Sequence, residues 1–129
     1  MPHLTFECTA NIYDQAGIPA LLRKANAVLI AQGGVYPTGG IRSRALRLQD
    51  YCVADGGADD AFVHATLKIG AGRAQQIRQA TGEALFLMMR EHFAALYAQR
   101  GLALSLEICE FSEDGTWKQN NIHARYRAA

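Results

Sequence analysis

Strand, helix, strand is written twice along this chain, at a separation of about 60 residues, and few architectures accept that repeat. From His3 the residues alternate, with Leu4, Phe6 and Cys8 on one side and His3, Thr5 and Glu7 on the other, the period of a strand covered on one face. Ile18, Leu21, Leu22, Ala25, Val28 and Leu29 then recur at spacings of three and four, and Gly33-Gly34 supplies a helix stop that tolerates positive φ. Pro19 suits the first turn of that helix; an earlier start near Asp14 with a bend at Pro19 is the other reading. After the turn Tyr36-Pro37-Thr38-Gly39-Gly40, an extended segment is expected from about Ile41 to Val53, ended by the polar cluster from Asp55 to Asp60.

The second half follows the same order. Val63, Ala65, Leu67 and Ile69 alternate with His64, Thr66 and Lys68. A helix is expected from about Arg73 to Arg100, roughly 40 Å at 1.5 Å per residue, with Gly101 as its stop. Ile77, Thr81, Ala84, Leu85, Met88, His92 and Leu96 form its inward stripe, and Phe86, Met89, Phe93 and Tyr97 read as packing residues. A last strand, Ala103 to Phe111, sets Leu104, Leu106 and Ile108 on one face.

Two such units with right-handed crossovers give an α+β fold, a four-stranded mixed sheet with two helices on one face. The other face would carry Thr5, Glu7, His64, Thr66, Ser105 and Glu107, too polar for a core and too sparsely charged to be plainly solvated. That predicts an oligomer built around the open face. The expected organisation is one domain over residues 1–129, with units at about 2–55 and 60–112 and a tail, 113–129, in subunit contacts. Trp117 to Ile122 is the polar stretch that would reach a neighbour.

A formal charge of +1 removes the footprint needed to neutralise a run of phosphates, so no nucleic-acid partner is expected. Arg23, Lys24 and Asn26 interrupt one apolar run and Arg90, Glu91 and His92 close another, so neither a membrane span nor a secretory leader is expected. Cys8, Cys52 and Cys109 are far apart and read as reduced thiols, which with the missing leader predicts a cytoplasmic chain. His3, His64, His92 and His123 lack paired ligand spacing, and no metal site is expected. Arginine far outnumbers lysine, and its planar fork suits carboxylates, so a small anionic molecule is the expected partner.

Pro2 leads directly into the first strand, behind a methionine that processing normally removes before so small a residue. Removal would leave a secondary amine on a rigid support. An α-amine ordinarily titrates at about 7.7–8.0, and both burial and a nearby arginine lower that value, so a neutral general base at pH 7 becomes available.

Four segments carry a specific resemblance: Pro2-His3-Leu4-Thr5-Phe6-Glu7-Cys8; Gly40-Ile41-Arg42-Ser43-Arg44; Phe62 through Arg73, with Lys68-Ile69-Gly70-Ala71-Gly72-Arg73 at its end; and Lys118-Gln119-Asn120-Asn121-Ile122-His123-Ala124. Together, and in this order over nearly the whole chain, they resemble the 5-carboxymethyl-2-hydroxymuconate isomerase family of the tautomerase superfamily. The resemblance implies a homotrimer of β-α-β units with an amino-terminal proline and no cofactor. It implies aromatic-acid catabolism and a small dienol substrate with three carboxylates, whose 2-hydroxyl proton passes to the Pro2 nitrogen while C5 gains a proton. Arg42 and Arg73 align with the family's site arginines, and charge developing at the 2-oxygen and C1 carboxylate is where a fixed guanidinium is most useful.

Arg44 shares a strand face with Arg42 and is a candidate substrate-binding residue or a subunit-seam residue, while Arg47 points the other way. Gly70-Ala71-Gly72 could present backbone N–H groups to an anion, which makes Gly72 the other binding candidate. His3 and His64 read as interface residues with satisfied hydrogen bonds. Glu7 alternates away from Pro2, against a water-activating role. The competing functions are another enol-acid tautomerase on the same scaffold and a non-catalytic trimeric anion-binding protein.

Overall fold

The computed structural model describes residues 1–127; Ala128 and Ala129, the end of the expected tail, lie outside the described residues. The elements are β1 (His3–Thr9), α1 (Ala10–Tyr13), α2 (Ile18–Ile30), β2 (Arg42–Leu48), β3 (Ala61–Gly70), α3 (Gln75–His92), α4 (Ala94–Gln99) and β4 (Leu102–Phe111). The sheet order is β2-β1-β3-β4, with β1 parallel to β2, β3 parallel to β4, and the two units joined by the antiparallel pair β1 and β3. This is the four-stranded mixed sheet that the repeated pattern requires.

Alternation sets which way each strand faces. Leu4, Phe6 and Cys8 of β1 and Val63, Ala65, Leu67 and Ile69 of β3 are fully buried beneath the helices. Leu21, Ala25 and Leu29 come down from α2, one turn apart, and Leu85, Met89 and Phe93 from the second crossover. Burial pushes the Cys8 thiol up to about 11, so this cysteine packs as a small hydrophobe.

Three boundaries differ from the sequence expectation, each for a local reason, while the start of the first main helix follows the reading that puts Pro19 in its first turn. Gly17, at φ +61, separates the single turn α1 from α2, so the main helix begins at Ile18 with Pro19 in its first turn and without a bend. The second strand stops at Leu48 instead of Val53, because its register partner Thr9 is the last residue of β1 and nothing remains for 49–53 to pair with. Cys52 is accordingly exposed in a loop. The long helix is two helices: the buried Phe93 leaves helical geometry at φ −96, ψ 10, although its N–H still reaches Met89 O and its carbonyl accepts from Tyr97. Tyr97, expected to pack, lies on α4 and is 63% exposed.

The third difference bears on function. Ala74 is extended at φ −64, ψ 151 and α3 begins at Gln75, so Arg73 precedes the helix and belongs to the loop that leaves β3. On the open sheet face His64 is held by Ser105 Oγ (2.6 Å from Nδ1) and Glu107 Oε1 (3.1 Å from Nε2). Those partners account for His64 as the sequence suggested.

Candidate active site

Parallel pairing of β1 with β2 places His3 opposite Arg42 and Thr5 opposite Arg44, so both arginines flank the start of β1. Pro2 is buried there, and its carbonyl accepts a hydrogen bond from the Arg42 N–H at 3.1 Å. The Arg42 guanidinium reaches over the amino terminus, with Nη1 3.3 Å from Met1 Sδ. Arg44 Nη1 lies 3.2 Å from His3 Nδ1. Burial first, then the charges of Arg44 and Arg42, lower the His3 pKa, so the ring is neutral and accepts from Arg44. Arg47 points away, to Asp14 at 3.2 Å.

Arg73 approaches from the β3 end. Its Nη1 donates to Gly70 O and its Nη2 to Val35 O, both at 3.2 Å, and the guanidinium carbon sits 4.9 Å above the centre of the Tyr36 ring. Tyr36 is buried and fixed by a 2.8 Å hydrogen bond to Thr81 Oγ1 of α3. The fork is therefore preorganised, and two carbonyls and a ring face use only part of its five N–H groups. The preceding loop does not hold its N–H groups open as the sequence suggested. Gly72, at φ +111, donates to Glu110 Oε2 at 3.4 Å, and Ala71 donates to Phe111 O at 3.1 Å. Glu110, itself paired with Arg78 at 2.6 Å, fills the place an anion would take, and Gly72 serves the turn that aims Arg73.

The tail completes this end of the molecule, which sequence reasoning missed. Asn120 Nδ2 donates to Gly39 O at 2.8 Å, and His123 lies so close to the 38–40 turn that a Cβ on Gly39 would stand 2.8 Å from its Cα. Part of the segment expected to reach a neighbour thus folds back on its own chain, whereas Trp117 is 87% exposed. Glu113 packs over Gly70, where a Cβ would come within 2.6 Å of Oε1, and pairs with Lys118 at 3.4 Å. No spacing rule links these residues to Pro2; the only signal was that Lys118–Ala124 belonged to the segments carrying the resemblance.

The result is an amine in a cationic corner. The pKa of the Met1 amine is lowered from 8.0 by burial, then by Lys118 and Arg73 and to a smaller degree Arg42, with Glu113 opposing. Apolar grooves lie elsewhere, between α3 and β4 along Phe86, Leu87, Leu104 and Ile108. Among the described residues there is no cluster of three or more His, Cys, Asp or Glu side chains that would hold a metal ion, and no helix is long and apolar enough to cross a membrane.

The family model for 5-carboxymethyl-2-hydroxymuconate isomerase matches residues 2–126. This chain belongs to that family. An Escherichia coli 5-carboxymethyl-2-hydroxymuconate Delta-isomerase is 48% identical over 127 residues, covering 98% of this chain and all of the relative. The crystal structure of a 5-carboxymethyl-2-hydroxymuconate isomerase from Deinococcus radiodurans R1 superposes with a TM-score of 0.94 at 57% identity, over 98% of this chain and 95% of that one. A fused 4-OT symmetric trimer shares the fold alone, with a TM-score of 0.68 at 18% identity over 91% and 93% of the two chains. The family resemblance carried by the four sequence segments is thereby established.

Proposed function

We propose that this chain is a cofactor-independent isomerase that converts 5-carboxymethyl-2-hydroxymuconate to its 2-oxo-3-ene isomer, with Pro2 as general base after Met1 is removed. The carrying observation is the setting of the amino terminus: the amine pKa of Met1, one residue ahead of Pro2, is lowered by burial and by Lys118, Arg73 and Arg42, and the same groups surround the nitrogen that Met1 removal would free. While Met1 is attached that nitrogen is an amide with no basic lone pair; once free it is a secondary amine fixed by the start of β1. It takes the 2-hydroxyl proton, the electrons shift along the diene, and C5 gains a proton. Arg42 and Arg73 stabilise the negative charge that gathers at the 2-oxygen and adjoining carboxylate. Arg44 widens the cationic rim, and Gly72 acts through the loop that presents Arg73.

The remaining expectations belong to the same reading: one domain, a cytoplasmic site of action, a small trianionic substrate and a homotrimer. Support for the trimer comes from the polar open face of the sheet and from the apolar groove beside the edge strand β4, which a second copy would cover. Subunit contacts would also engage the exposed side of the tail at Trp117.

The test is turnover of 5-carboxymethyl-2-hydroxymuconate, followed by ultraviolet absorbance, on protein whose intact mass shows that Met1 is gone. Efficient conversion supports the reading; no conversion refutes the substrate assignment. A pH prediction follows from the charges. A base acts only when neutral, so kcat/KM falls as pH drops through the amine pKa. Lys118→Ala removes a lowering charge and should move that acid limb to higher pH, whereas Glu113→Gln removes an opposing one and should move it lower, both measured as kcat/KM against pH at low salt.

A further inference from the structure

Two donors converge on one weak acceptor at the amino terminus. Arg42 Nη1 lies 3.3 Å and Asn120 Nδ2 3.5 Å from Met1 Sδ, a thioether that accepts hydrogen bonds poorly. Asn120 is fixed by its other groups: Oδ1 accepts from the Ile122 N–H at 2.7 Å, and one amide hydrogen goes to Gly39 O at 2.8 Å. That leaves a single amide hydrogen, aimed at the sulfur. The turn that holds Asn120 is close-packed independently of Met1, since a Cβ on Gly39 would stand 2.8 Å from the His123 Cα. The donor therefore has no freedom to turn elsewhere when the sulfur leaves.

Taking the reading above, in which Met1 is removed and the substrate is a polyanion, we propose that Asn120 is a substrate-contacting residue. Its remaining amide hydrogen and Arg42 Nη1 hold one carboxylate oxygen of the substrate at the position that Met1 Sδ fills. An anionic oxygen is a far better acceptor for this pair than the thioether, and the fixed donors need no reorganisation to meet it. Asn120 thereby joins the tail to the recognition of substrate.

The experiment uses Met1-free protein with Asn120→Ala, the nearly isosteric Asn120→Asp, Arg42→Ala and the Asn120→Ala/Arg42→Ala double variant. Dienol turnover and calorimetric binding of tricarballylate, a stable tricarboxylate, are both measured. Asn120→Ala should lower kcat/KM and tricarballylate affinity by about 10- to 100-fold, mostly through KM, with Asn120→Asp worse because it turns an oxygen toward the anion. The double variant should lose less than the product of the single losses, because the two donors share one acceptor. Near-wild-type behaviour of both Asn120 variants would overturn the proposal, as would strictly multiplicative losses accompanied by a lower melting temperature, which would mark Asn120 as an anchor of the tail alone. If the wild type binds tricarballylate with this coupling but does not turn over the dienol, the functional reading fails and the contact stands. If turnover is efficient and Asn120→Ala and Asn120→Asp leave it unchanged, the function stands and the contact fails. Wild-type protein that neither converts the dienol nor binds tricarballylate would overturn both.

Discussion

Blocking the Pro2 nitrogen is expected to lower kcat/KM for the dienol by about 10²–10⁴-fold, the range a positioned general base contributes. Two preparations achieve this without altering the core: protein that retains Met1, and protein with one further residue ahead of Pro2. Both turn the amine into an amide, and Pro2 is seated at the start of β1 either way. Pro2→Ala is the milder change, because processing would leave a primary amine in roughly the same place. It should lose less, since the base survives while the rigid ring that aims it does not. Steady-state kinetics on mass-verified samples separates the two effects. Equal activity of the blocked and free forms would remove Pro2 from the chemistry.

Arg73→Ala is the second large effect, an expected fall of about 10²–10³-fold in kcat/KM, comparable to deleting a donor that stabilises developing charge. The geometry also predicts that Arg73→Lys will not restore activity. The fork reaches Gly70 O and Val35 O from two separate nitrogens while its carbon sits over Tyr36, and the single tetrahedral nitrogen of an ammonium cannot reproduce that spacing or the stacking of a planar group. Loss in both variants, with kcat falling along with kcat/KM, is the outcome for a group that acts in the transition state. Rescue by lysine would reduce Arg73 to a point charge.

What the sequence made legible, and what it hid, follows from the range of the interactions involved. Leu4, Phe6 and Cys8 declare the buried face of β1 because alternation is a local property, and Leu21, Ala25 and Leu29 declare α2 for the same reason. The break at Phe93 was not legible, since the inward stripe runs on through His92 to Leu96 and no glycine or proline stands beside it, while Gly82, the one glycine within the run, leaves the helix unbroken. Arg73 looked like the first residue of a helix; only the carbonyls of Gly70 and Val35, the latter 38 residues away, hold it in the loop before α3. The tail is the extreme case. Asn120 meets Gly39 across 81 positions, and Lys118 and Glu113 act on the amine through space, so no periodicity could announce them. Gly72 shows the converse error: its positive φ was foreseeable, but Glu110 of β4 takes its N–H, and that partner is visible only once the sheet is assembled.

The most direct test of the central claim is a nitrogen-15 NMR titration of Pro2 in Met1-free protein labelled at proline, set beside the pH profile of kcat/KM on the same sample. The Pro2 amine should titrate below the ordinary range of a terminal amine, in the direction that the surrounding charges shift the Met1 amine, and the acid limb of kcat/KM should fall at the same pH. An amine that stays protonated through neutral pH while turnover continues undiminished would contradict the assignment of Pro2 as the base.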